Sequence, residues 1–101
     1  MLGIQTNWEN DVFNIQLNGA LDISGVDVFE ETIAAMDLTS VTMVCVDMKN
    51  VVFIDSTGIG SLLNLIRTLK EQETEYKFIN INEEIQEIFL IIGLEDLLAS
   101  R

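Results

Sequence analysis

Polar and apolar side chains alternate near the beginning of the chain. The alternating residues are Val12, Asn14, Gln16 and Asn18 on one side and Phe13, Ile15 and Leu17 on the other. A period of two is typical of a strand that buries one of its faces. Residues 2–8 form a second strand-like segment, and the polar cluster Glu9–Asp11 separates the two. The pattern predicts a β-hairpin with strands at about 2–8 and 11–18.

Two other segments have helical spacing. In the first, Ser24 followed by Asp27 suggests a helix N-cap before a helix at about 25–37. Its apolar stripe consists of Val26, Phe29, Ile33 and Met36. The second helix is predicted from Thr57 to about Glu71, with buried positions at Ile59, Leu62, Leu63, Ile66 and Leu69. This spacing leaves Leu65 on the outer face, where it is either part of a contact patch or the edge of the core.

The remaining residues alternate between strand and helix patterns. The segment 41–48 is apolar on both alternating faces, as in a covered central strand that ends near Asp47, and 76–81 forms another predicted strand. A third helix is predicted around Ile85, Ile88, Phe89 and Ile92. Gly93 ends this helix, and 94–98 adds a last helical turn or two. Such alternation requires a mixed sheet with right-handed crossovers, so the helices are expected mainly on one face.

The composition limits the possible classes of function. The chain has 101 residues, 49% of them hydrophobic, with no proline and no low-complexity run, which favours a single domain over residues 1–101. It contains no histidine and one cysteine, Cys45. These counts exclude Ser-His-Asp and Cys-His catalysis and the zinc sites that need histidine or several cysteines. An enzyme would therefore have to use carboxylates, hydroxyls and few bases. We predict a protein that is not an enzyme and that has no metal and no other cofactor.

The net charge of the chain limits the partners that it can bind. Seventeen acidic residues against five basic ones give a net charge of −12, and no Lys or Arg precedes Lys49. Nucleic acid and anionic membranes require a basic surface, so neither is expected as a partner. The charge serves either plain solubility or steering toward a basic partner. The N-terminal residues do not have the pattern of a signal peptide, and no apolar run approaches about 18 residues, so a cytoplasmic location is expected.

The stretch Val51–Gly60 carries the main candidate chemistry. An apolar run ends there in an acid, two hydroxyl residues and two glycines, just before helical spacing begins. This order places Ser56 and Thr57 at a helix N-terminus, where unpaired N–H groups and the helix dipole favour a phosphate. The Ser56 hydroxyl is therefore either a phosphorylated switch or a simple helix N-cap. We interpret Gly58 and Gly60 as permitting a tight turn and close helix packing.

Residues 46–60, together with 80–84 and 92–98, resemble the STAS domain of bacterial anti-sigma factor antagonists. The family pattern runs strand, short loop, Asp-Ser-(Ser/Thr/Ala)-Gly-(Leu/Ile)-Gly, helix, strand, helix and a closing Gly-Leu-acid segment. The segment 19–22 fits the family's Gly-Glu-(Leu/Ile)-Asp in part, because Ala20 replaces the acid while Asp22 matches. The resemblance implies a single α/β domain with a four- or five-stranded mixed sheet and helices packed mainly on one face.

The same resemblance implies a function. The unphosphorylated protein would bind an anti-sigma factor that is itself a serine kinase and would thereby release a sigma factor. Phosphorylation of Ser56, with Thr57 as the alternative acceptor, would end the complex, and a PP2C-type phosphatase would reset it. Such switches regulate transcription in stress response or sporulation. The implied contact residues are Asp22, Asp55, Ser56, Thr57, Gly58, Ile59, Gly60 and Leu65.

Two alternative functions stay open. A scaffold STAS domain of a stress-sensing complex would carry a threonine acceptor, which Thr57 provides. A nucleotide-binding protein or enzyme would use Ser56 as a nucleophile or the Gly58 and Gly60 loop as a phosphate cradle. The segment 55–60 lacks the lysine and the spacing of a P-loop, and it lacks a Gly-x-Ser-x-Gly setting. Saturable nucleotide binding without a second protein would favour this alternative.

Overall fold

A computed structural model of the chain describes residues 2–94. The elements follow in the order β1 (Leu2–Glu9), β2 (Val12–Leu21), α1 (Val26–Ala35), β3 (Met43–Ile54), α2 (Ser56–Glu71), β4 (Glu75–Ile79) and α3 (Glu83–Ile91). The four strands form one sheet in the order β1-β2-β3-β4, in which β1 and β2 are antiparallel and the other neighbours are parallel. The predicted α/β fold with a mixed sheet is confirmed, and its described part has four strands.

The hairpin of β1 and β2 agrees with its prediction. Trp8 pairs with Phe13, and the connecting turn contains Asn10 at φ 59°. Asparagine adopts this left-handed conformation more readily than most residues, which explains its place in the turn. β2 continues to Leu21, beyond the predicted end at 18, and this extension carries the chain to the end of the sheet where α2 begins.

β3 is longer than the strand predicted at 41–48. The apolar segment that precedes Asp55 continues the same strand, so β3 runs without interruption to Ile54. Two register shifts against β2, between Gln16 and Asn18 and between Gly19 and Ala20, accommodate the extra length. Asp47 therefore lies in the middle of β3 and not at its end, which corrects the sequence prediction.

The sheet has one covered face and one open face. A single core cluster includes Phe13, Ile15, Leu17, Val44, Val46 and Phe78 of the sheet and Phe29, Leu62, Leu65, Leu69, Ile85 and Phe89 of the helices. On the open face, amide side chains bridge neighbouring strands: Asn14 Nδ2 donates to Asn7 Oδ1 at 3.0 Å, and Asn50 Nδ2 donates to Asn18 Oδ1 at 2.8 Å. All three helices contribute to the one core, as expected for helices packed mainly on one face.

The first helix begins differently from the sequence prediction. Gly25 occupies the N-cap position of α1 and makes no side-chain capping bond. The Ser24 hydroxyl donates instead to Asp22 Oδ1 at 2.5 Å. The capping role predicted for Ser24 is therefore wrong, because a nearer acceptor in the preceding loop holds its hydroxyl.

The third helix ends as predicted at Gly93. This glycine has φ 82°, a left-handed conformation that costs glycine little. Gly93 N–H donates to the Leu90 carbonyl at 3.3 Å, and Leu94 N–H donates to the Phe89 carbonyl at 2.7 Å. These two bonds are the Schellman arrangement that ends many helices. The helical turn predicted beyond Leu94 lies outside the described residues.

Within residues 2–94, no helix is both long enough and apolar enough to cross a membrane. In the same part of the chain, no three or more cysteine or acidic side chains are grouped so that they could hold a metal ion.

Candidate functional site

The candidate site lies where β2 and β3 end side by side. Leu21 pairs with Ile54 in the parallel register, so the residues that follow the two strands emerge next to each other. The carboxyl ends of parallel strands are the usual place for binding sites in α/β sheets. This arrangement brings the loop that carries Asp22 to the N-terminus of α2, which carries Ser56.

Asp55 holds the two segments together. Its carboxylate is the N-cap of α2: Gly58 N–H donates to Oδ1 at 2.9 Å. The other oxygen, Oδ2, accepts from Ile23 N–H in the loop after β2 at 3.4 Å. An N-cap carboxylate satisfies an otherwise unpaired helix N–H group and lies favourably in the field of the helix dipole. The alternative in which Ser56 is the N-cap is therefore wrong, since Asp55 has that role.

Ser56 and Thr57 are the first two residues of α2, and both are exposed. The prediction of a helix N-terminus at these hydroxyls is confirmed. N–H groups in the first turn of a helix have no intrahelical acceptor, so they are available to an anion. The N–H of Gly58 is already bonded to Asp55. A phosphate on Ser56 would thus meet both free amide donors and a neighbouring carboxylate.

The Asp22 carboxylate is fixed inside its own loop. Oδ1 accepts from Ser24 N–H at 3.0 Å and from the Ser24 hydroxyl, and Gly25 N–H donates to the Asp22 carbonyl at 2.9 Å. The two bonds to Oδ1 favour the charged form of the carboxylate, and the one from the Ser24 hydroxyl contributes most to lowering the pKa of Asp22. Asp22 therefore carries a full negative charge at neutral pH.

Gly58 has a packing role that the structure makes plain. A Cβ on Gly58 would lie 1.9 Å from the carbonyl oxygen of Leu21 and 2.8 Å from its carbonyl carbon. Helix α2 thus presses directly against the β2 backbone at this point, and only glycine fits there. The interpretation of close packing is confirmed for Gly58. For Gly60 it is wrong, because a Cβ there would meet no atom within 4 Å.

The buried face of α2 is rotated relative to the prediction. Leu65, expected on the outer face as part of a contact surface, has no exposed area and belongs to the core. Ser61 is also buried, whereas Leu63, predicted as buried, is 43% exposed. Ile59 is half-buried against the core. The apolar residues of α2 form one broad stripe with Leu65 at one edge and Leu63 at the other, so the spacing alone does not decide which edge packs on the sheet. Leu65 is therefore removed from the candidate contact residues.

An exposed apolar residue that was not predicted from the sequence lies next to the site. Ile23 follows Asp22 in the loop after β2 and is 76% exposed, although its N–H group is held by Asp55. An exposed apolar side chain on an anchored backbone is a frequent feature of protein contact surfaces. The sequence contained one signal for this residue. Ile23 is an apolar residue between two polar ones, and it fits neither the alternation of β2 nor the helical spacing of α1.

The profile of the STAS domain family matches residues 4–100 of the chain. The chain belongs to the STAS domain family. It is 28% identical to the anti-sigma-B factor antagonist of Staphylococcus aureus over 97 aligned residues. The aligned residues cover 96% of this chain and 90% of that protein. It is 30% identical, with the same coverage, to the anti-sigma-B factor antagonist of Staphylococcus epidermidis.

Solved structures share the same fold. The phosphorylated form of SpoIIAA, a Bacillus cell fate determinant, superposes with a TM-score of 0.73 at 24% identity, covering 94% of this chain and 87% of that one. An anti-sigma factor antagonist from Mycobacterium paratuberculosis gives a TM-score of 0.83 at 19% identity, covering 95% and 81%. The STAS domain fold that the resemblance implied is therefore confirmed.

Proposed function

We propose that this STAS domain is an anti-sigma factor antagonist switched by phosphorylation of Ser56. Unmodified, it binds a cytoplasmic anti-sigma factor that is also a serine kinase, and the sigma factor held by that kinase is released. Phosphorylated, it no longer binds, and a PP2C-type phosphatase restores the unmodified form. The observation that carries the proposal is the exposed Ser56 hydroxyl at the first position of α2, directly after the capping Asp55.

The proposed chemistry requires little from this chain beyond a positioned hydroxyl. Ser56 Oγ forms a bond to the γ-phosphorus of ATP on the kinase while the bond to the β-phosphate oxygen of ADP breaks. The hydroxyl proton passes to a base of the kinase. Because Asp55 holds the first turn of α2 rigidly through Gly58 N–H, Ser56 keeps a defined position for an attack that requires alignment.

The local charges explain why a phosphate would end the complex. A phosphate adds about −1.5 to −2 charges and three acceptor oxygens. It would lie beside Asp55 and near the loop of Asp22, at a surface that in the unmodified protein presents a neutral hydroxyl. A partner fitted to that hydroxyl would lose contacts and would have to desolvate a dianion, which costs several kcal/mol.

The domain itself should tolerate the phosphate. Free N–H groups and the helix dipole at the start of α2 stabilise an anion by about 0.3–1 kcal/mol. Repulsion from Asp55 and from the net charge of −12 opposes this by a comparable amount. The two effects nearly cancel, so phosphorylation is expected to act on binding and not on folding.

The relatives support this proposal, since those of S. aureus and S. epidermidis are named anti-sigma-B factor antagonists and match almost end to end. The scaffold alternative stays open because Thr57, at the next position, is exposed as well. The packing of Gly58 speaks against a nucleotide cradle: its N–H is occupied by Asp55, and its Cα faces the Leu21 carbonyl instead of open space.

The test is a paired measurement on phosphorylated and unmodified protein. The chain is incubated with the purified anti-sigma factor kinase of its own bacterium and ATP, and the acceptor is mapped by mass spectrometry. We expect phosphate on Ser56, an affinity lowered by orders of magnitude and a melting temperature changed by only a few degrees. Ser56→Ala should keep binding, and Thr57→Ala is the matched control that should still be phosphorylated. Phosphate on Thr57 alone, unfolding on phosphorylation, or unchanged affinity would contradict the proposal.

A further inference from the structure

The described part of the domain does not explain why residue 60 is a glycine. It lies in the interior of α2, where glycine weakens a helix relative to alanine. A Cβ at this position would meet no atom within 4 Å, in contrast to Gly58. Gly60 does not have a positive φ, so residues other than glycine can adopt its backbone conformation. Neither packing nor backbone geometry in residues 2–94 requires a glycine here.

The position of Gly60 relative to Ser56 suggests a reason outside the domain. Residues four apart on a helix lie on the same face, one turn apart along the axis. Gly60 therefore lies directly below Ser56 on the outer surface of α2. Farther along the same face, Leu63 and Arg67 line a shallow cleft with Gly60 and with Glu30 of α1. The cleft has a volume of about 420 Å³, and Leu63 at its wall is 43% exposed.

We infer that the missing side chain at Gly60 is what lets the kinase reach Ser56 closely enough to bind and phosphorylate it. This inference rests on the proposed function and assigns the kinase contact to one face of α2. Phosphoryl transfer needs the γ-phosphorus within about 3–3.5 Å of Ser56 Oγ and in line with it. One helical turn is about 5.4 Å, so a kinase surface that approaches Ser56 along this face of α2 also passes over Gly60.

A bare helix backbone at this point permits an approach that any side chain would prevent. A misplacement of about 1 Å at a reacting centre can lower the rate about 100-fold, so even one methyl group matters. The neighbours of Gly60 indicate the chemistry of the kinase surface that fits there. It would offer an apolar contact to Leu63 and groups of both signs, a basic one to Glu30 and an acidic one to Arg67.

The experiment compares stability and kinase recognition in the same variants. Gly60→Ala should melt a few degrees higher than the protein without the substitution. Alanine is the better helix former, and its methyl group would meet no atom within 4 Å. The same variant should bind the purified anti-sigma factor kinase and be phosphorylated by it at least about tenfold more weakly. Gly60→Leu should be impaired further. Gly3→Ala on β1 is the matched control: its added methyl makes only ordinary contacts at 3.9 Å, and recognition should be unchanged.

Three other results would overturn the inference. If Gly60→Ala and Gly60→Leu are bound and phosphorylated like the unmodified chain, the inference about Gly60 is overturned while the proposed function stands. If Gly60→Ala destabilises the domain, the glycine serves the fold and the inference is again overturned. If the unmodified chain itself is neither bound nor phosphorylated by the kinase, both the proposed function and the inference fail.

Discussion

Replacing Gly58 by alanine tests the contact on which the geometry of the site depends. A Cβ at Gly58 would lie 1.9 Å from the carbonyl oxygen of Leu21, 2.8 Å from its carbonyl carbon and 3.0 Å from its Cγ. Two of these are backbone atoms of β2, which is held by its pairing with β3, so they cannot rotate away. Helix α2 and β2 would have to separate by about 1 Å or more before the methyl group fits.

The size of the effect follows from three contributions. Overpacking of this kind costs about 1–3 kcal/mol. Moving the first turn of α2 also weakens the bond from Gly58 N–H to Asp55, and loss of an N-cap costs about 1 kcal/mol. The better helix propensity of alanine returns about 1 kcal/mol. The net loss is about 1–3 kcal/mol, which for a domain of this size lowers the melting temperature by about 5–20 °C.

The assay is thermal unfolding followed by circular dichroism, with urea unfolding followed by the fluorescence of Trp8, the only tryptophan. Gly60→Ala is the internal comparison, because the same chemical change on the same helix is expected to stabilise. A Gly58→Ala protein that unfolds at or above the temperature of the unmodified chain would refute the close contact between α2 and the Leu21 carbonyl.

Two further predictions concern hydroxyl groups. Ser61 Oγ is buried without a hydrogen-bond partner among the described residues. Ser61→Ala should therefore raise the free energy of unfolding by about 1 kcal/mol, as measured by urea titration. A lower free energy of unfolding would contradict this prediction. Ser24→Ala should raise the pKa of Asp22 toward the usual 3.8, as followed by NMR titration of its carboxyl carbon. Because the folded-state pKa of Asp22 is depressed, its contribution to stability is present above the unfolded pKa and is lost as the pH falls through the folded pKa. Ser24→Ala should therefore lower stability at neutral pH and matter less in acid, and an unchanged pKa would show that the Ser24 hydroxyl bond does not form in solution.

Elements with local signals could be predicted from the order of the residues. The alternation around Phe13 and Ile15 predicted the hairpin, and the change from an apolar run to hydroxyl and glycine residues placed the start of α2 within one residue of its true position. Gly93 was identified as a helix end because its conformation depends on only a few neighbouring residues. The family motif marked the same loop and implied the fold that the structure shows.

Features that depend on contacts between distant segments could not be predicted in this way and emerge from the folded domain. The choice between Leu63 and Leu65 as the buried residue of α2 follows from how the helix docks on the sheet, since both are apolar and both fit a helical period. The length of β3 depends on its pairing with β2, and two register shifts there have no signal in the residues of β3 alone. The two glycines of the motif look equivalent in sequence. They differ because a Cβ on Gly58 would collide with the β2 backbone, whereas a Cβ on Gly60 would meet no atom within 4 Å among the described residues.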